Sequence, residues 1–289
     1  MPAAGRTPGV LHRLSRVTAC AAFVLIVAGA SVTSTGSGLA VPDWPLSYGQ
    51  WLPPMEGGVF FEHGHRMIAS GVGLLVWLLA FVAWRQPAAR WVRNLALVAA
   101  AAVLFQGLLG GVTVLYGLAK PVSVAHACLG QALFALLVFL ATATGPSWPD
   151  SSSLSVDERR AASRVLRLAF AASAAVFLQL LLGASYRHGL AGIAPHLLGA
   201  VLAAGLSFAA AFRALAELPA KAGLAPVAGS LAAAVAAQLL LGLGALARSP
   251  AVSTLHVAVG ALILALCVVV SARLHRLAGP EAAPAWLEH

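Results

Sequence analysis

Charge is scarce in this chain. Only 9% of its 289 residues are Asp, Glu, Lys or Arg, where a soluble domain carries roughly 25%. Acids are scarcer still, nine against 18 Lys and Arg. A surface of this size cannot be wetted by so few charges, which excludes a soluble globular protein. Cysteine is nearly missing too. Cys20, Cys128 and Cys267 all fall inside apolar runs, with no CxxC and no pair in a loop. No disulfide or zinc framework is visible, and the three read as small buried apolar residues. The net charge of +9 would suggest nucleic acid in a soluble protein. Here the cations are scattered between apolar runs, where membrane topology explains them better, so no nucleic acid is expected.

What the chain does contain is hydrocarbon. Apolar residues make up 60% of it, and its mean hydropathy is +0.89. A span needs about 20 apolar residues, and eight such runs are found near 14–33, 62–83, 94–116, 122–144, 164–186, 193–213, 225–247 and 252–274. The expected fold is all-α, an integral membrane protein whose main partner is the lipid bilayer. Pro121, Pro195 and Pro250 lie at or near the starts of the fourth, sixth and eighth runs, where a missing N–H costs little. Arg13 and Arg16 precede the first run as in a signal peptide. No convincing small-x-small site follows, and seven more spans do, so this run is expected to stay as a first helix. Leu287-Glu288-His289 resembles the stub of an affinity tag and is set aside.

One polar, Pro/Ser-rich stretch, 145–162, lies mid-chain. It divides the protein into two expected four-helix bundles, 1–150, with a long loop at 34–61, and 151–289. Eight spans put both termini on one side. Fourteen Lys and Arg fall on that side (Arg6, Arg13, Arg16, Arg85, Arg90, Arg93, Arg159, Arg160, Arg164, Arg167, Arg213, Lys221, Arg273, Arg276) and four on the other (Arg66, Lys120, Arg187, Arg248). The positive-inside rule makes the termini cytoplasmic. The halves also resemble each other. Gln106 and Gln238 are 132 apart, His126 and His256 130, and His65 and His196 131; Gly29-Ala30-Ser31 matches Gly183-Ala184-Ser185 at 154. The extra residues lie in the first outer loop. Because the offset covers four helices, the two repeats share one orientation, unlike inverted transporter repeats.

Four of the nine histidines take part in this repetition: His65, His126, His196 and His256. Each lies near the start of an even-numbered helix, at the outer end and at similar depth. Each half thus offers two imidazoles on two helices of one bundle, the axial pair that a six-coordinate haem iron takes. Gly107, Gly110, Gly111, Gly183, Ala184, Gly242 and Gly244 would let a flat macrocycle pass between backbones. Interhelical hydrogen bonding, a proton relay and zinc remain alternatives, although zinc prefers three or four gathered ligands and no acid, Cys or third His accompanies His196 and His256. His63 points away from His65, about 200° round the helix, and is expected at the interface. His188 lies in a short outer loop.

The halves differ at Glu62. It precedes His65 by three, on the same helix face, whereas the second half has Gly192-Ile193-Ala194-Pro195. A carboxylate at the membrane boundary beside a metal-ligand candidate suggests function; the plainer alternative is an N-terminal helix acid favoured by the dipole. The asymmetry suggests that one bundle does chemistry while the other keeps a permanent cofactor.

Glu62-His63-Gly64-His65-Arg66 resembles the ExxHR motif that opens the second helix in the haem A synthase family. Thr33-Ser34-Thr35-Gly36-Ser37-Gly38-Leu39 and Pro42-Asp43-Trp44-Pro45 are similar to that family's first outer loop, and the eight helices and four histidines match it. The resemblance implies oxidation of the position-8 methyl of haem O to a formyl group, giving haem A for terminal oxidases, in a bacterial-type plasma membrane. It implies haem b and its iron on His196 and His256, substrate haem O with His65, His126 and Arg66, and Glu62 as the catalytic acid near the reacting edge. It also implies partnership with the farnesyltransferase that makes haem O and with an electron donor. Arg66, Lys120, Arg187 and Arg248 are the outer-side cations open to haem propionates. One departure is plain: some members carry a cysteine pair in the first outer loop, and residues 31–61 here contain no Cys. A dihaem electron carrier and a haem transporter are the competing expectations. Glu62 and the long loop favour the enzyme, with Leu39, Trp44, Tyr48, Trp51 and Leu52 expected to cover its mouth.

Overall fold

A computed structural model describes residues 9–146, 154–247 and 249–279. Eight helices in it are each long and apolar enough to cross a bilayer: α1 (Gly9–Ser34), α2 (Gly57–Arg85), α3 (Arg90–Leu115), α4 (Lys120–Ala143), α5 (Val156–Arg187), α6 (Ile193–Glu217), α7 (Ala225–Ala245) and α8 (Pro250–Ala278). Among the described residues no strand forms; Ser47 and Gln50 make one isolated bridge. The protein is a multi-pass membrane protein. Arg6, Arg248, the expected boundary at 150/151 and the terminal Leu287-Glu288-His289 lie outside the described residues.

The helices begin and end close to where the apolar runs place them, except α5. Residues 156–162, expected in the linker, are helical. Ser155 is the reason: its hydroxyl accepts the Glu158 backbone N–H at 3.2 Å, and the Glu158 carboxylate accepts the Ser155 N–H at 2.6 Å. This reciprocal pair satisfies two of the donors that a helix start leaves open, and Asp157 and Glu158 suit the positive end of the dipole. At 32 residues, α5 is about 48 Å long, well over the ~30 Å hydrocarbon thickness. Its charged first turns therefore belong to the headgroup layer.

Each of α1 to α4 packs on the next, and α1 returns to α4; α5 to α8 close in the same way. The two rings meet through α1 on α8, α4 on α8 and α4 on α5. Two buried clusters follow this division. One gathers Val72, Val76, Leu79, Ala99, Leu137 and Leu140, and takes Ala261 from α8. The other gathers Val165, Ala172, Ala210, Ala211, Leu231 and Val270. Much of this core is alanine because lipid is as apolar as leucine and gives no hydrophobic drive between helices; association then rests on close backbone packing. Large side chains such as Leu74, Leu198, Val201, Leu240 and Leu243 point outward, where acyl chains meet them. Several hydroxyls within the helices bond back to their own turns, as Ser15 does to the Leu11 carbonyl and Thr18 to that of Leu14, so these present no unpaired donor to hydrocarbon.

The α5 cap generates a direct expectation. Ser155→Ala removes the acceptor for the Glu158 N–H and should cost about 1 kcal/mol locally. Hydrogen exchange should show faster amide exchange in the first turn after Val156 and no change beyond Arg167.

Candidate functional site

All four repeated histidines lie at one end of the molecule. His65 is the ninth residue of α2, His126 the seventh of α4, His196 the fourth of α6 and His256 the seventh of α8. Each imidazole rests against a glycine on the preceding helix. A methyl group on Gly29 would come within 3.0 Å of His65 Cε1, one on Gly110 within 3.1 Å of His126, one on Gly183 within 2.9 Å of His196, and one on Gly242 within 3.3 Å of His256. These distances are tighter than ordinary contact, so glycine is what lets each histidine turn into its ring of helices.

Glutamines hold the histidine-bearing turns. Gln106 Nε2 donates to the His126 carbonyl at 2.9 Å, and Gln179 Nε2 lies 2.9 Å from both Nδ1 and the carbonyl oxygen of His196. Gln238 Nε2 is 3.3 Å from His256 Nε2. Gln106 and Gln238 stood out in the sequence only as repeat markers, and Gln179 gave no signal there.

The His196 and His256 ring centres are 6.3 Å apart at 78°. A metal–imidazole bond is about 2 Å long, and allowing for each ring's half-width puts two imidazoles on one iron roughly 6 Å apart, centre to centre. The separation of the two rings matches that of an axial pair. His65 and His126 lie within electrostatic reach of each other, and Nδ1 of each is buried without a partner. Among the described residues no group of three His, Cys, Asp or Glu is gathered, which suits paired axial ligands better than a zinc cage.

Glu62 sits one turn before His65, but not in the first turn of α2, which begins at Gly57. It is 4% exposed. Its Oε2 accepts the Val41 backbone N–H at 2.8 Å, and its Oε1 accepts from Arg66 Nη2 at 2.7 Å. Arg66 in turn donates from Nη1 to the carbonyls of Asp43 and Leu46, both at 2.8 Å, and from Nη2 to that of Val41 at 3.3 Å. His63 also differs from its interfacial expectation: it is buried, with Nδ1 2.8 Å from Ser47 Oγ. One turn of α2 therefore clasps residues 41–47 of the first loop. Sequence spacing identifies Glu62, His65 and Arg66 but not the segment that Glu62 and Arg66 grip.

The loop is shaped to be gripped. Tyr48 and Gly49 both have positive φ, 54° and 70°, which makes the Ser47–Gln50 reversal a mirror-image turn. The Asp43 carboxylate braces it, accepting the N–H of Tyr48 at 2.7 Å and of Gly49 at 2.8 Å. Those two backbone bonds, with a smaller contribution from the nearby Arg66 charge, hold the Asp43 carboxyl below its ordinary pKa. The Trp44 ring packs on Gly111 of α3, where a methyl group would come within 2.7 Å of it. Of the aromatic cover expected from the sequence, Trp44 thus packs inward, whereas Trp51 is 80% and Leu52 75% exposed.

The end of α5 completes this face. The Tyr186 ring stacks on His196 with centres 6.4 Å apart. Arg187 Nη2 donates to Ser34 Oγ on α1 at 2.8 Å. His188 is partly buried, and desolvation followed by the Arg187 charge holds its imidazole below the ordinary pKa.

Comparison with known proteins bears on this face directly. Residues 56–195 match the family described as cytochrome oxidase assembly protein. That stretch holds Glu62, His65, Arg66 and His126 and stops one residue before His196. The chain is 36% identical to the heme A synthase of Shouchella clausii over 138 residues, 45% of this chain and 44% of that protein. It is 33% identical to the heme A synthase of Bacillus pumilus over 134 residues, again 45% and 44%. A protoheme IX farnesyltransferase of Halobacterium salinarum is 35% identical over 116 residues, 40% of this chain and 26% of that protein. The chain thus spans less than half the length of the curated relatives it matches. Through residues 56–195, from the N-cap of α2 to the first turn of α6, the chain is similar to the cytochrome oxidase assembly protein family and to these heme A synthases.

Proposed function

We propose that this protein is a haem A synthase, an oxidoreductase that takes the position-8 methyl of haem O to a formyl group. The observation that carries this reading is the asymmetry of two otherwise matching histidine pairs: the His65 and His126 pair has a buried carboxylate, Glu62, one turn away, and the His196 and His256 pair has Gly192-Ile193-Ala194-Pro195 at the equivalent place. In this reading the chain is a tandem repeat. Residues 1–150 form the substrate bundle for haem O, residues 151–289 form the bundle that keeps haem b, and both termini are cytoplasmic. The 6.3 Å separation of the His196 and His256 rings supports a resident haem, whose iron supplies one-electron chemistry when bound.

The protein's own groups do the rest. His65 and His126 orient the substrate between α2 and α4. Glu62 is positioned by the Arg66 guanidinium and the Val41 N–H. A carboxyl group held there can stabilise the electron-poor carbon that a methyl oxidation passes through, or take its proton. Arg66 serves the substrate by pinning residues 41–47 across the site, which excludes water from the reacting edge. The likeness to a protoheme IX farnesyltransferase supports a place beside the enzyme that makes haem O.

Two experiments test this reading. His256→Ala should insert normally yet lose most of the low-spin haem; a full low-spin spectrum in that variant refutes the axial assignment. Glu62→Gln keeps the side chain's size and its bond from Val41 but removes the charge, and it should bind haem O, retain haem b and form little haem A. Haem A formation lost in Glu62→Gln with both haems still bound assigns the chemistry to the carboxylate, and wild-type haem A formation in that variant favours a dihaem electron carrier.

A further inference from the structure

Three consecutive residues at the end of α5 address three of the four histidines. Tyr186 stacks on His196, Arg187 lies within electrostatic reach of His256, and His188 lies within reach of His126. Arg187 is the one that crosses between the rings of helices. Its Nη2 bonds to Ser34 Oγ at the end of α1, and Thr254 Oγ1 from the first turns of α8 donates to the same oxygen at 2.9 Å. The guanidinium is thereby fixed where α1, α5 and α8 meet, at the seam between the histidine pairs.

Its bonding is unfinished. Arg187 Nε is buried without an acceptor, and a buried donor left unpaired is destabilising. Among the described residues no Asp or Glu forms an ion pair with Arg187 or with Lys120, whose Nζ lies 3.6 Å from the space a methyl group on Gly189 would fill. Arg66, the other arginine on this face, has its terminal nitrogens committed to Glu62 and the loop carbonyls. By the offset that relates Gly29 to Gly183, the residue corresponding to Arg187 in the first half is Thr33, so a cation stands on one side only. With Nη2 on Ser34 and no bond from Nη1 among the described residues, one prong of this planar fork is left to donate to a carboxylate.

We propose that Arg187 is a carboxylate-binding residue at the seam, taking a propionate of the tetrapyrrole held between His196 and His256. The assignment rests on the reading of that pair as haem ligands and adds the residue that fixes the macrocycle's rotation about the axial bonds. Ser34 and Thr254 are its positioning residues, so that a side chain of the first half orients a group bound in the second.

Esterification of the ligand tests it without any turnover. Full-length protein made in haem-starved cells is titrated by absorbance with protohaem and with its dimethyl ester, reading the low-spin signal that His256→Ala abolishes. The wild type should bind the diacid at least about tenfold tighter than the ester, the difference a charge-assisted pair makes. Arg187→Gln should bring the two affinities within about threefold, and Arg187→Lys should fall between, keeping the charge but not the fork. If Arg187→Gln fails to accumulate, Arg187→Lys decides on the same ratio. A diacid preference unchanged in whichever variant decides overturns the carboxylate assignment while leaving the haem reading in place. A wild type that binds neither compound overturns the haem reading itself, and the assignment falls with it.

Discussion

Everything at the functional end depends on how closely an imidazole can approach a neighbouring backbone. Four times a histidine early in one helix lies over a glycine late in the preceding one, at distances tighter than an ordinary Cβ contact. The constraint reaches outward from there. It sets the spacing of α1 from α2, α3 from α4, α5 from α6 and α7 from α8, and the alanine-rich core below is the packing that such narrow spacing permits. A larger residue at any of the four glycines would push away a side chain that a glutamine also holds at two of them.

Much of this was legible in the sequence, because it is periodic. Apolar runs of span length fix the helix count, and the repeat offsets single out His65, His126, His196 and His256 together with the glycines they touch. The misses share a cause. Residues 156–162 read as linker because their charge hides a reciprocal cap at Ser155 and Glu158. The His63–Ser47 contact, the grip of Glu62 and Arg66 on residues 41–46, and the seating of Trp44 on Gly111 all join a helix to an irregular loop about 16 to 67 residues distant, whose path is set by a turn of positive φ. No hydrophobic period encodes such a path. Arg187 was visible as a cation near one end of a helix; its reach to Ser34, across the seam, was not.

The asymmetry between the halves is as informative as their likeness. Histidine, glycine and a helix-holding glutamine recur in both. Glu62 and the loop it grips stand over the first pair, and Tyr186 and Arg187 stand over the second. The first set couples a carboxylate to a cover, while the second offers an aromatic face and an open cation. Under the proposed function, these different provisions suit a ligand that must react and one that must stay.

The loop's attachment has a consequence of its own. Residues 31–61 contain no cysteine, and what fastens the loop to α2 is the Val41 N–H on Glu62, the Arg66 donors on three loop carbonyls and a histidine–serine contact. Bonds of this kind break and reform with loop motion in nanoseconds to microseconds, whereas an uncatalysed disulfide rearranges over minutes to hours. The loop's attachment is thus indifferent to the thiol balance of the surrounding compartment, since no cysteine of residues 31–61 takes part in it.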